Sequence, residues 1–238
     1  MIRLSININK IATLRNARGG NLPDVVQVAK DIEKYGADGI TVHPRPDQRH
    51  IRYSDILELS KTITTEFNIE GNPSIKFMDL VLGVRPTQVT LVPDGDDVIT
   101  SNAGWDTKTN LSFLKNIISK LKHAGIRSSI FVEPIPEIIH FASLTGTDRI
   151  ELYTQKYASE YLNNRSNAIL PYIQAAEHAA RLGLEINAGH DLNSSNLNYF
   201  AKKIPKLKEV SIGHALISES LYLGFKNVIG VYKECLNI

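Results

Sequence analysis

One pattern recurs along the whole sequence: a short run of β-forming residues followed by a stretch with helical periodicity. It occurs eight times, at a spacing of about 30 residues, the usual length of a strand–helix–strand unit. The strand-like runs are short and rich in branched apolar residues, which is typical of a parallel sheet covered on both faces. Eight such units predict a closed (β/α)8 barrel, the TIM barrel.

The predicted strands cover residues 4–9, 39–42, 67–70, 88–92, 127–132, 149–152, 184–187 and 209–212. The predicted helices cover residues 21–35 (capped by Asn21), 54–66, 74–84, 107–124, 136–144, 165–182, 194–203 and 214–236, the last with a break near Gly224. Residues 15–20 are predicted to form a basic loop. No linker rich in proline, glycine and serine divides the chain, so we expect one barrel domain over residues 1–238. A doubly wound sheet is the rival, but it normally has fewer strands, and the sequence lacks the glycine-rich nucleotide motifs.

Composition narrows the class of protein further. The 238 residues are 42% hydrophobic and 22% charged, an ordinary globular composition. The 27 lysines and arginines nearly balance 25 acidic residues, which argues against a dedicated nucleic-acid surface. A single cysteine, Cys235, leaves no internal disulfide and fits a reducing compartment. With neither a signal-peptide core nor a long apolar span, we expect a cytoplasmic protein without membrane partners.

Polar residues collect at the carboxyl ends of the predicted strands, where the active sites of such barrels lie. These residues are Asn7, Asn9, His43, Arg45, Glu70, Asn72, Asp94, Glu133, Glu151, Tyr153, Asn187, His190 and His214. Four of the seven histidines fall at or just after strand ends: His43, His50, His190 and His214. One such histidine is most often structural, but four on one rim with a glutamate favour a catalytic role for at least two.

The second predicted strand opens into a rigid basic loop. Its residues include His43, Arg45, Arg49 and His50, with Pro44 and Pro46 between them. The prolines fix φ and remove backbone donors, so the segment stays in neither a sheet ladder nor an ordinary helix. Enclosing such polar groups is costly unless they meet a ligand or partner. The loop is therefore expected to bind one.

Two glutamates have two interpretations each. Glu70 follows the apolar run at 67–69 directly. It either forms a salt bridge with a rim arginine such as Arg45 or serves as an acid–base carboxylate whose pKa the site tunes. The same alternatives hold for Glu151, with less support for the catalytic one.

Residues 15–20 and 211–215 suggest phosphate binding. Gly213 lets the backbone approach a ligand, and a helix starting near His214 would present free N–H groups and its positive dipole end. Arg18 and Arg45 would hold a second anionic group. The alternative is close packing at the glycine and arginines paired with rim carboxylates, which we favour for Arg15 and Arg49.

A metal site is a further alternative, since histidine and glutamate at a rim can ligate zinc. The sequence has no His-x-His and no His-Glu-x-x-His, and Arg45 lies two residues after His43. A neighbouring guanidinium disfavours a cation. We therefore expect neither a metal nor another cofactor.

Longer motifs carry a family resemblance over essentially the whole chain. They are NKIATLRNARGG at 9–20, DGITVHPRPDQRHI at 38–51, NIEGN at 68–72, LVPD at 91–94, INAGHDL at 186–192 and SIGHALI at 211–217. In this order they resemble the pyridoxine 5′-phosphate synthases. The resemblance implies a (β/α)8 barrel with extra helices that assembles as an octamer. It also implies a transferase that condenses 3-amino-2-oxopropyl phosphate with 1-deoxy-D-xylulose 5-phosphate, giving pyridoxine 5′-phosphate, phosphate and water.

The resemblance also implies roles for single residues. His43 and Glu70 match proton acceptors, His190 matches a proton donor, and Glu151 matches a carboxylate that supports the transition state. Contacts to the aminoketone phosphate are implied for Asn7, Arg18, Asp191, Gly213 and His214. Contacts to the deoxyxylulose phosphate are implied for Arg45, His50 and Thr100.

Two places depart from the usual family pattern. Asn9-Lys10 stands where that pattern has Asp-His, so ligand contacts there are only possible ones, and Lys10 is expected to bind phosphate instead. Asp191 stands where the pattern has glycine, and we hypothesise that it pairs with the ammonium group of the aminoketone. Other functions also stay open: an epimerase, an aldolase using Lys10 as its Schiff-base lysine, or a non-catalytic barrel that binds a phosphorylated metabolite.

Overall fold

The computed structural model describes residues 1–94 and 103–237, and its strands close into a barrel. All strand pairs are parallel, and the first strand pairs with both the second and the eighth. The strands are β1 Arg3–Asn7, β2 Gly39–Val42, β3 Glu66–Gly71, β4 Gln88–Leu91, β5 Arg127–Val132, β6 Arg149–Tyr153, β7 Glu185–Gly189 and β8 Leu207–Ile212. Every strand follows its chain neighbour around the barrel, which confirms the predicted (β/α)8 fold.

The helices alternate with the strands, and several are additional to the eight-fold pattern. They are α1 Asn9–Asn16, α2 Val25–Lys34, α3 Tyr53–Thr62, α4 Ile75–Val84, α5 Leu111–His123, α6 Pro136–Leu144, α7 Gln155–Arg181, α8 Leu197–Lys203, α9 His214–Leu223 and α10 Phe225–Leu236. Gly224, at φ 77°, separates α9 from α10, where the sequence predicted a break. Within the described ranges, no helix combines the length and the apolar character needed to cross a membrane.

Alternate residues along each strand serve different layers of the fold. One set is apolar and fully buried, as with Ile6, Ile40 and Ile150, and belongs to the main hydrophobic cluster with the helices. The other set is polar and bonds across the barrel interior: the Ser5 hydroxyl lies 2.7 Å from that of Thr41, which accepts from the Asn68 amide at 3.2 Å. A barrel interior is usually filled by branched apolar residues. Here a polar interior leads directly to the site.

The basic loop predicted for residues 15–20 is wrong in its first part. Residues 9–16 form α1, and Arg15 is a buried residue of that helix. Its guanidinium donates to both carboxylate oxygens of Asp55, at 2.7 and 2.8 Å. This pairing agrees with the structural role that we favoured for Arg15. Helix α1 was not recognised in the sequence because its only apolar residues that face the core are Ile11 and Ala12.

Other boundaries also moved. Asp24, not Asn21, caps α2, and its carboxylate accepts from the N–H groups of Val26 and Gln27, as carboxylates at helix starts commonly do. The first part of α7 was missed because non-helical backbone at Asn164 (φ −156°) divides that helix. Strand β7 continues to Gly189, two residues past its predicted end, so Gly189 and the residues after it reach the mouth of the barrel.

Candidate active site

A cavity of roughly 400 Å³ opens at the carboxyl ends of the strands. Most of its lining residues have polar or charged side chains, and Val92 and Phe131 are apolar. Its lining includes most of the residues to which the sequence assigned a catalytic or binding role: Asn7, Asn9, Lys10, His43, Arg45, His50, Glu70, Glu151, His190, Asp191, Gly213 and His214. The other predicted rim residues do not line it: Asn72, Asp94, Glu133, Tyr153 and Asn187. Residues from the ends of all eight strands therefore meet in one space, as the barrel topology predicted.

Two predicted site residues are not among these. Arg18 is exposed in the turn after α1 and does not line the cavity. Thr100 lies outside the described residues. The roles of both stay predictions.

Two carboxyl groups lie at the cavity floor. Burial raises the pKa of Glu70 to about 8, and the charges of Asp94 and Glu209 add to the effect. Burial also raises the pKa of Glu151 well above its usual value, with Glu70 and Glu209 as further causes. Carboxyl groups that share a low-dielectric space resist losing both protons. The pair is therefore prepared to hold a proton near neutral pH, as acid–base catalysis requires.

The position of Glu151 depends on a glycine in the neighbouring strand. Glu151 on β6 pairs in register with Asn187 of β7. A Cβ on Gly189 would lie 2.3 Å from Glu151 Oε1, closer than any real contact. The Thr90 hydroxyl lies 3.5 Å from Glu151 Oε2. Gly189 therefore provides the space in which the Glu151 carboxyl sits.

The histidines of the basic loop are biased towards their neutral form. Burial lowers the pKa of His43 well below its usual value, and the charges of Arg45, His50 and Arg49 lower it further. Burial and the charges of Arg45 and Lys10 lower the pKa of His50 to about 4. His50 Nδ1 accepts from the Ile51 N–H at 3.0 Å. Neutral His50 must therefore carry its proton on Nε2, which makes that atom a hydrogen-bond donor.

Arg45 pairs with Asp94, not with Glu70. Its Nη2 lies 2.6 Å from Asp94 Oδ2, and both side chains are buried. The salt bridge between Glu70 and Arg45, one of the two alternatives for Glu70, is therefore wrong. Glu70 Oε2 instead accepts from Asn7 Nδ2 at 3.4 Å. Arg45 lines the cavity but Asp94 does not, and the protonatable carboxyls form the cavity floor.

Asn7 and Asn9 link the first two strand ends. The Asn7 Oδ1 accepts from the Asn9 N–H at 3.0 Å, and the Asn9 Oδ1 accepts from the His43 N–H at 2.9 Å. Asn9 begins helix α1, so its predicted place at the end of the first strand is wrong. An aspartate oxygen can accept the same bond, so asparagine preserves the anchor on His43.

His190 and Asp191 form a tight turn after β7. His190 Nδ1 lies 2.9 Å from Asp191 Oδ2, and the Tyr153 ring stands edge-on to the imidazole at 5.0 Å between centroids. The hydrogen bond to His190 lowers the pKa of Asp191. A carboxylate next to Nδ1 favours the form of the ring that carries a proton on that nitrogen.

Gly213 and His214 complete the mouth at the start of α9. A Cβ on Gly213 would lie 3.1 Å from Asn7 Cβ, so the backbone there lies close to β1. Gly213 precedes the first residue of α9, and its position leaves the helix N-terminus open to a bound anion. Lys10 is exposed in the first turn of α1.

The sequence did not single out several residues that shape the site. Glu209 of β8 is buried, with a pKa raised by burial to about 7, and it raises the pKa values of both floor carboxyls. Ser211 and Phe131 line the cavity, and Thr154 contacts the turn after β7. The alternating polar pattern of β8 was a usable signal for Glu209. In the described residues, no histidine, cysteine or acidic side chains are grouped as a metal ion would need.

Similarity to known proteins fits this arrangement. The family model described as "Pyridoxal phosphate biosynthesis protein PdxJ" matches residues 4–238. Pyridoxine 5′-phosphate synthase of Phocaeicola vulgatus is 62% identical over 236 residues, covering 99% of both chains. The enzyme of the same name from Bacteroides fragilis is 60% identical over 236 residues, covering 99% of this chain and all of its own.

Solved structures share the architecture at low identity. Tryptophan synthase of Mycobacterium tuberculosis aligns with a TM-score of 0.68 at 11% identity, covering 100% of this chain and 93% of that one. At this identity the likeness concerns the fold alone.

Proposed function

The chain belongs to the family of the pyridoxal phosphate biosynthesis protein PdxJ, and on that premise we propose how its rim cavity carries out the reaction. The chain is an enzyme that forms pyridoxine 5′-phosphate from phosphorylated small molecules. We propose that these are 3-amino-2-oxopropyl phosphate and 1-deoxy-D-xylulose 5-phosphate. Amine attack on a ketone, dehydrations, loss of phosphate and a carbon–carbon closure would join them.

One observation carries the proposal: a single cavity is lined by carboxyl groups with raised pKa values and histidines with lowered pKa values. Glu70 and Glu151 have raised pKa values, and His43 and His50 have lowered ones. Nearly every step of the ring closure moves a proton. A set of titratable groups held at different pKa values is what such a sequence needs.

The proposed roles follow from those states. His43, neutral at physiological pH, accepts protons, and so does Glu70 once it has lost its own. Glu151 stays protonated and donates a hydrogen bond to oxygen atoms that gain charge in the transition state. His190, oriented by Asp191, donates the proton that departs with water.

Two phosphorylated substrates need two anion sites. Arg45, His50 and Lys10 line the cavity, and the charges of Arg45 and Lys10 both lower the pKa of His50. We propose that these three hold the deoxyxylulose phosphate, with Thr100 as a further contact. Gly213 and His214 lie at the start of α9, and we propose that they hold the aminoketone phosphate, with Asn7 and Arg18. Backbone N–H groups and guanidinium groups are the usual phosphate ligands in proteins.

Asp191 has two candidate partners. We proposed the substrate ammonium from the sequence, and the geometry adds the His190 ring at 2.9 Å. Replacement by asparagine keeps the shape and removes the charge. A raised KM for the aminoketone would support the ammonium contact, whereas a lower kcat at unchanged KM would support the histidine contact.

The direct test is an assay with both substrates and no added metal, following pyridoxine 5′-phosphate and inorganic phosphate. We expect both products in equal amounts. A folded protein that releases neither would overturn the proposal. The single-substrate reactions serve as controls, because release of phosphate from one substrate alone would indicate a different chemistry.

We further propose that the chain forms one domain over residues 1–238, acts in the cytoplasm and assembles as an octamer. The support is the family resemblance together with exposed apolar side chains such as Leu162 and Tyr222, both 89% exposed. Sedimentation velocity of the purified chain should give one species of about eight chain masses. A monomer at micromolar concentration would contradict the octamer.

A further inference from the structure

The turn that carries His190 has an uncommon backbone. His190 has φ 80° and Asp191 has φ 60°, so two consecutive residues with side chains adopt the left-handed region. That region is sparsely populated by residues other than glycine, and occupying it costs free energy. Such a conformation persists only where surrounding contacts hold it.

Thr154 provides those contacts from the neighbouring strand. It follows β6 directly, and its side chain is fully buried. Its Oγ1 lies 2.6 Å from the Gly189 carbonyl oxygen and also contacts the His190 carbonyl oxygen. Its backbone N–H donates to the same Gly189 oxygen at 3.0 Å. One residue thus engages the two peptide carbonyls that lead into the strained turn.

The hydroxyl has one proton and faces two acceptors. It therefore bridges the carbonyls of Gly189 and His190 and fixes the peptide plane between them. The carbonyl of Asp191, one residue further, accepts from the Asn196 amide at 3.4 Å. Next to Thr154 in the chain, Tyr153 stands against the imidazole of His190. The end of β6 therefore holds both the backbone and the ring of this histidine.

We propose that Thr154 is a positioning residue for the reaction: its buried hydroxyl fixes the turn at 189–191 so that the His190 imidazole points into the cavity. The proposal rests on the proton-donor role proposed above for His190. Thr154 itself does not line the cavity, so it acts through the histidine. A displacement of about 1 Å at a catalytic group can lower the rate about 10²-fold.

The test compares three variants in the two-substrate assay. Thr154→Val keeps the shape and removes the hydroxyl, and we expect kcat to fall about 10- to 100-fold, with both KM values within about twofold of wild type. Thr154→Ser restores the hydroxyl and should recover most of the kcat. Should the valine variant fail to fold, the Ser and Ala variants at position 154 differ by the hydroxyl alone and carry the same comparison.

The route through His190 is tested by a double-mutant cycle. In the His190→Ala background, Thr154→Val should cause no further loss of kcat, because the group that it positions is gone. A full additional loss in that background would overturn the proposal, as would wild-type kcat in folded T154V. If His190→Ala alone leaves kcat unchanged, the donor role of His190 fails instead, so the two failures are distinguishable.

Discussion

At the scale of single residues, the cavity raises the pKa of a carboxyl group and lowers the pKa of a histidine. Burial disfavours the charged form of every group, so the pKa of Glu70 rises and that of His43 falls. Neighbouring charges strengthen both effects, because acidic groups surround the floor and guanidinium groups surround the loop. Groups of the same types in water would titrate near 4.5 and 6.5. Here the histidine is the stronger acid of the two once protonated.

Removing the Glu70 carboxyl should test its proposed role as a base. We expect Glu70→Gln to lower kcat about 10²-fold or more. In the wild-type enzyme, kcat/KM should rise with pH through about 8, since the carboxyl must lose its proton before it can accept one. That rising limb, which belongs to Glu70 and Glu151 as a coupled pair, should be lost in the variant.

Glu133 offers a matched control for that experiment. It follows β5 at the same mouth, and burial raises its pKa also, but it does not line the cavity. Glu133→Gln should keep the limb near pH 8. An unchanged limb in Glu70→Gln would instead assign it to another group.

The charge of Asp94 should help to set the pKa of Glu70. Its charge is the foremost neighbour effect that raises the Glu70 pKa, so Asp94→Asn should move the rising limb of kcat/KM to lower pH. It should also raise the KM of the deoxyxylulose phosphate, because Arg45 loses a buried charged partner at 2.6 Å. Asp47→Asn, which removes the exposed partner of Arg49, is the control and should do neither. A limb that stays in place in Asp94→Asn would contradict this coupling.

At the scale of elements, adjacent strand ends build the site in pairs. β6 contributes Glu151, Tyr153 and Thr154, and β7 contributes Gly189 and the turn after it. The parallel pairing places Tyr153 opposite Gly189. β6 therefore carries bulky side chains, and β7 provides the space beside them and leads into the turn that carries His190 and Asp191.

Gly189→Ala tests whether Glu151 needs the space that Gly189 provides. The added Cβ would lie 2.3 Å from Glu151 Oε1, so the carboxyl must move. We expect kcat to fall at least about tenfold, as for other displaced catalytic groups. Gly230→Ala, in the exposed face of α10 with no atom near the added Cβ, should keep full activity and stabilise the fold by about 0.5–1 kcal/mol. Full activity in Gly189→Ala would show that the Glu151 position is not critical.

At the scale of the whole molecule, the polar barrel interior carries a stability cost that depends on pH. Glu70, Glu151 and Glu209 are enclosed carboxyls whose pKa values all lie above the usual value. A folded state that holds protons more tightly than the unfolded chain loses stability as pH rises. The buried carboxyls that can exchange protons therefore lower the free energy of unfolding at neutral pH.

Thermal unfolding can measure this loss of stability. Below pH 4.5 the Glu70 carboxyl is protonated in both states; between 4.5 and about 8 only the unfolded chain releases the proton. The free energy of unfolding should therefore fall across this window by a contribution that Glu70→Gln lacks. We expect the Tm of the variant to exceed that of the wild type by more at pH 8 than at pH 5, each 1 kcal/mol being worth about 2–4 °C. A pH-independent difference in Tm would contradict the raised pKa.

The sequence predicted some residues of the candidate site and missed others. His43, Glu70, Glu151 and His190 were found because each stands at or just after a strand end, and β-strands show themselves by local composition and periodicity. Arg15 was misplaced in a loop, and Asn21 was mistaken for the cap of α2. In both cases a tertiary or local hydrogen bond decided between similar alternatives. Glu209 and Thr154 were missed because their importance lies in contacts with other strands.

The sequence by itself determined the number of strand–helix units, their order and the edge of the barrel where the functional groups collect, because these follow from patterns within about 30 consecutive residues. Only the tertiary structure decided which of these groups share a cavity, that Arg45 pairs with Asp94, and which way each pKa moves. Those properties depend on distances of a few ångströms between residues far apart in the chain. Coulomb energies and desolvation vary steeply over such distances.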